Sequence, residues 1–109
     1  METSWKTGYD KYKEAPEHRK IVFKTIIENL LVELDNKHIS TIKALQNWYN
    51  NSGTECCSKM AKSVAPNNSW AWDLSIILEC TCAMQCSKIY KAAKNKKKTN
   101  TGVKKIELD

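Results

Sequence analysis

Eight lysines fall between Lys88 and Lys105, and no acidic residue interrupts them. Residues 1–87 carry ten basic and ten acidic side chains, so the net charge of +6 arises from this segment, offset only by Glu107 and Asp109. The chemistry open to such a run is electrostatic. A lysine that contacts a nucleic-acid phosphate releases a condensed counterion. A lysine near an anionic leaflet contributes about 1 kcal/mol, and a short lysine-rich run also suffices as a nuclear-import signal. Arg19 is the single arginine, and no aromatic residue follows Tyr90. That favours contact with the phosphate backbone over readout of bases. Lys94, Lys96, Lys97, Lys98, Lys104 and Lys105 are therefore the candidate residues for nucleic acid or another polyanion.

The second reactive set is five cysteines, all in the second half of the chain: Cys56, Cys57, Cys80, Cys82 and Cys86. One reading makes them reduced thiols, several buried as small apolar groups. Another pairs them as disulfides, leaving one over. In a secreted chain, Asn50 and Asn67 would then head glycosylation sequons. A third is zinc: Cys82 and Cys86, four apart, share a helical face, with Cys57 and His38 to complete the set. Cys80 faces away from that pair and Cys-x-x-Cys knuckles are absent, so no metal set is favoured and no cofactor is expected.

Catalysis finds little support. There is no phosphate-cradling glycine loop, nucleophile elbow or His-Glu-x-x-His run. His18 and His38 both lie in polar stretches, and no histidine lies close in sequence to any cysteine. Cys56 and Cys57 fall in the expected first turn of a helix, where the dipole lowers a thiol pKa. No enzyme is expected.

The remaining residues must position these groups. Few Gly and Pro argue for helices. Phe23, Ile26, Ile27, Leu30, Leu31 and Leu34 repeat at helical spacing and predict a helix over 17–35. Further helices are expected over 40–50, ended by Asn50-Asn51-Ser52-Gly53, and over 54–64, capped by Thr54 and stopped by Pro66. The longest, 69–94, is capped by Asn67, Asn68 or Ser69. Its apolar residues spread widely around the axis, which implies a central helix. Lys88, Lys91 and Lys94 would complement the dipole at its end. Trp5, Tyr9 and Tyr12 recur at i, i+4, i+7 within an arm over 1–15, although Gly8 weakens a helix there by about 1 kcal/mol relative to Ala. These aromatics are candidates for a partner-binding patch, or else dock the arm on the core.

The fold class is thus all-α: a bundle of about four helices forming one domain over 1–94, with an aromatic N-terminal arm and a flexible, disordered lysine-rich tail over 95–109. No 18-residue apolar run and no signal-like leader are present, so an intracellular location, cytoplasmic or nuclear, is expected. The expected function is a regulatory or interaction protein. Its bundle binds a protein partner or self-associates, and its tail binds nucleic acid or an anionic membrane surface. The alternatives are a secreted, disulfide-linked helical ligand-like or carrier-like protein, and a small zinc-stabilised module. Abundant Lys, Asn and Ile, which have AT-rich codons, fit an AT-rich genome such as those of some viruses.

Overall fold

Leucine and isoleucine at alternating three- and four-residue steps form the first core element, helix α2 (Glu17–Asn36), in a computed structural model. The structure describes the backbone of residues 2–102 and the side chains of residues 8–95. Phe23, Ile26, Ile27, Leu30 and Leu34 are buried on one face of α2. Before it lies α1 (Glu2–Glu14); after it come α3 (Ile42–Trp48), α4 (Thr54–Val64) and the 29-residue α5 (Leu74–Gly102). The architecture is an all-α bundle, and no strand occurs among the described residues. Helix α5 contacts every other α-helix of the bundle, and α2 also packs on α4. The core is continuous, joining Ile26, Leu30 and Leu34 of α2 to Leu45 and Trp48 of α3, Cys57 and Ala61 of α4, and Ile77, Cys80 and Cys82 of α5.

Helix α2 ends in a Schellman motif. The Ile39 amide donates to the Leu34 carbonyl and the His38 amide to that of Asp35, both at 3.0 Å. His38 adopts φ 60°, the left-handed geometry that glycine usually supplies there. Two α5 side chains tie this end down. Gln85 Nε2 donates to the Ile39 carbonyl at 2.7 Å, and Lys88 Nζ donates to Asp35 Oδ2 at 2.7 Å.

Three boundaries differ from expectation. The expected turn at Asn50–Gly53 is instead a π-helical segment, Tyr49–Gly53, which joins α3 to α4 without leaving helical geometry. Gly53 has φ −58° and ψ −47°, and Thr54 has φ −63° and ψ −42°, so Gly53 does not act as a left-handed stop and Thr54 is not a cap. Packing explains the glycine: a Cβ at position 53 would lie 3.0 Å from Leu78 Cδ1 and 3.3 Å from the Trp48 carbonyl. The last helix also begins later. Ser69–Trp72 form a 3₁₀ turn and Asp73 breaks from helical geometry at ψ 80°. Asp73 Oδ1 accepts from Ser75 Oγ at 2.9 Å as α5 starts. Finally, the backbone of α5 remains helical through Gly102, beyond the expected end at 94, while residues 103–109 of the expected tail lie outside the described residues.

The N-terminal arm is helix α1, packed along α5. Gly8 is buried at the contact, where an added Cβ would lie 2.6 Å from Glu79 Cβ. The helix-weakening glycine is thus what lets α1 approach α5 closely. Tyr12 packs against the core.

Candidate functional site

The described lysines of the basic segment fall into two groups. Lys88 is held by Asp35 at the edge of the bundle. From Tyr90 to Asn95 every side chain is exposed; Tyr90, at 63%, is the most exposed large apolar residue among those described. Lys91 and Lys94 therefore stand on helix that has left the core. The backbone of Lys96, Lys97 and Lys98 continues α5, their side chains being outside the described residues, and Lys104 and Lys105 lie outside them altogether.

The aromatic candidates of α1 separate. Tyr9 is 40% exposed and Tyr12 is half-buried. Their rings stack at 6.1 Å, and Lys13 Nζ lies 5.0 Å over the Tyr9 ring. Burial beside the core raises the Tyr12 phenol above its ordinary pKa, with smaller contributions from Cys80 and Tyr9. The Trp5 side chain lies outside the described residues.

The cysteines are mostly core. Cys57, Cys80 and Cys82 have no exposed surface. Burial pushes the thiols of Cys57 and Cys80 up to about 12, helped by Cys56 and Glu79 respectively, and also raises that of Cys82. Such thiols stay protonated at neutral pH and behave as small hydrophobes. Cys57 Sγ donates weakly to the Leu74 carbonyl at 3.7 Å. Cys56 sits half-buried with Lys37 Nζ 4.0 Å from its sulfur. Cys56 and Cys57 are preceded by continuous helix, so the expected helix N-terminus that would activate them does not exist. His38 sits in the α2 terminus described above. Among the described residues, no three Cys, His, Asp or Glu side chains gather so as to hold a metal ion.

A different constellation is assembled where the α1–α2 junction meets the 3₁₀ turn. A cleft of about 480 Å³ is lined by Lys11 and Glu14 of α1, Arg19 and Phe23 of α2, Trp70, Trp72 and Asp73, among others. The Arg19 guanidinium lies 5.2 Å over the Trp70 ring, and His18 and Phe23 meet that ring edge-on at 5.8 and 5.9 Å. Lys62 of α4 lies with Nζ 5.5 Å over the Trp72 ring. Lys62 also lines a second cleft, of about 550 Å³, beside Asn50, Thr54 and Glu55. The sequence reading placed Trp70 and Trp72 within the expected helix over 69–94, singled out neither as a site, and gave Arg19 none. The signal was local and slight: the single arginine, and Trp70-Ala71-Trp72 next to a polar turn.

Among the described residues, the other exposed apolar side chains form no patch. Ile21 and Val32 are each 58% exposed but stand about three turns apart on α2, and scattered apolar residues are ordinary surface. Among the described residues no helix is long and apolar enough to cross a membrane. No family model matches the chain, and neither a curated protein nor a solved structure does.

Proposed function

We propose that the protein is a non-enzymatic nucleic-acid-binding protein. Its bundle is a rigid base, and the lysine-rich end of α5 contacts phosphates without reading sequence. The observation that carries this is the course of α5: beyond Ile89 it leaves the core, every side chain from Tyr90 to Asn95 is exposed, and no acidic residue interrupts the lysines in the sequence. A helical backbone holds Lys91 and Lys94 at fixed spacing, so less chain entropy is lost on binding than for a flexible arm.

Lys88, engaged with Asp35, is set aside. Seven lysines remain between Lys91 and Lys105. If all engage duplex DNA, the logarithm of affinity falls with the logarithm of salt at a slope of about −6. Binding of the full chain to a labelled duplex over a salt series measures this. The Lys91→Gln/Lys94→Gln variant should reduce the slope by about 2. Salt-independent binding, or an unchanged slope in the variant, overturns the reading. So does strong binding to phosphatidylserine vesicles with none to nucleic acid, which would place the segment at a membrane surface.

A further inference from the structure

The only arginine of the chain and two of its four tryptophans meet in the cleft beside the 3₁₀ turn. We infer that this cleft receives one unstacked base of a single-stranded nucleic acid, with Trp72 as the stacking platform and Arg19, Lys11 and Lys62 serving the flanking phosphates. The inference rests on the nucleic-acid reading for its choice of ligand, and adds to it that the preferred strand is single.

Trp72 is large, yet 42% exposed, while its neighbour Ala71 is fully buried. The short turn therefore pins the backbone and presents the ring at the surface, so little order has to be gained on binding. Trp70 has a different part. With His18 and Phe23 at its edges and Arg19 over its face, it is already packed, and it orients the guanidinium at the cleft. A guanidinium so held matches phosphate geometry.

The cleft lining itself carries two cations, Lys11 and Arg19, and two carboxylates, Glu14 and Asp73, and Lys62, over the Trp72 ring from outside that lining, adds a third cation. That balance suits an anionic ligand with a flat apolar body. A nucleotide has this character, and the cleft volume of about 480 Å³ falls within the range of small-ligand sites. The two carboxylates are acceptors for exocyclic amino groups, which adenine, cytosine and guanine carry and thymine lacks. A duplex keeps its bases stacked inside, whereas a single strand can splay one onto an aromatic ring. Ile76 lines the cleft, and Lys91 lies fifteen residues further along α5, about 22 Å away. A strand of about 12 nucleotides, at about 3.4 Å per stacked nucleotide, is long enough to reach both.

The test compares such a single strand, a duplex of the same length and a single strand of abasic sites, each titrated into the full chain, Trp72→Ala and Lys91→Gln/Lys94→Gln. Trp72→Ala should weaken the base-bearing single strand at least about 5-fold, the low end for loss of one stacked base, and leave the duplex unchanged. The wild-type chain should bind the abasic strand correspondingly more weakly, and Trp72→Ala should not weaken it further. The double lysine variant should weaken all three ligands. If the lysine variant behaves so, while Trp72→Ala binds every ligand as the wild type does, the cleft inference fails and the nucleic-acid reading stands. Equal binding of abasic and base-bearing strands likewise overturns the cleft. If the wild-type chain binds none of the three, the nucleic-acid reading falls, and the cleft inference with it.

Discussion

Between Leu74 and Gln85, α5 carries Ile77, Cys80, Thr81 and Cys82 with no exposed surface; between Tyr90 and Asn95 every side chain of the same helix is exposed. The backbone geometry is alike in both stretches, but what holds it differs. In the first, burial of apolar surface fixes the helix, and even the polar Thr81 closes its hydroxyl on the Ile77 carbonyl at 2.7 Å. In the second, only local forces act. Because α5 runs on to Gly102, its last turn holds no lysine and the expected complement to the dipole is absent, while Lys91 and Lys94 repel one another at three-residue spacing. A bound polyanion removes that repulsion, so the part of α5 least supported by the bundle is the part that gains most from a ligand. Gln85 and Lys88, which reach back to the end of α2, mark the border between the two regimes.

Truncating one side chain in each half separates the two regimes most forcefully. Ile77→Ala should lower stability by about 2–5 kcal/mol in urea unfolding, whereas Tyr90→Ala should stay within about 0.5 kcal/mol. Comparable losses at the two positions would mean that the end of α5 is covered after all.

A smaller effect concerns the thiols of the buried half. The folded state raises the pKa of Cys57 and Cys80 to about 12, and raises that of Cys82 as well, because burial disfavours the thiolate. In the unfolded chain these groups ionise near their ordinary value, about 8.5. The stabilisation is therefore complete below that pH and is lost as pH rises from there towards 12, by up to about 1.4 kcal/mol per pH unit for each thiol. Unfolding curves measured between these limits should show the fall, and Cys57→Ser should reduce its slope. Thiol labelling offers a parallel check: at neutral pH the native chain should react fast at no more than two sites, Cys56 and Cys86.

Smallest is the change at the border. Lys88→Ala should cost less than about 1 kcal/mol, because the Asp35 pair is half-exposed on both sides. A larger loss in a double-mutant cycle with Asp35→Ala would move the border of the supported region outwards along α5.

Much of the buried half was legible beforehand. The apolar repeat of α2 follows from periodicity that local sequence carries openly, and the end of α4 from Pro66, whereas its start was read from a cap that Thr54 does not form. Gly8 and Gly53 misled for a common reason. Each was read by backbone propensity, as a helix weakener or a turn, while its place is set by a close approach to Glu79 or Leu78, both remote in sequence. The basic end was visible as charge, but whether its backbone is helical could not be read from lysines alone, since they suit both helix and coil. The cleft was hidden for a further reason. Arg19 and Trp70 are distant in sequence, as are Lys11 and Trp72, and only the meeting of the α1–α2 junction with the 3₁₀ turn brings them together.

The π-helical segment between α3 and α4 acts as a phase shifter. A π turn holds one residue more than an α turn, so it offsets the faces of the two helices by about 100°. Trp48 on one side and Cys57 and Ala61 on the other reach a common core through that offset. Deleting one residue from Tyr49–Gly53 would close the π turn into an α turn and keep Cys57 and Ala61 in phase with Trp48, whereas deleting two would rotate them by about 100° away from the core. The expected result is similar helical content by circular dichroism in both chains, with cooperative unfolding kept after the single deletion and lost after the double one. In this stretch, residue count would matter more than residue identity.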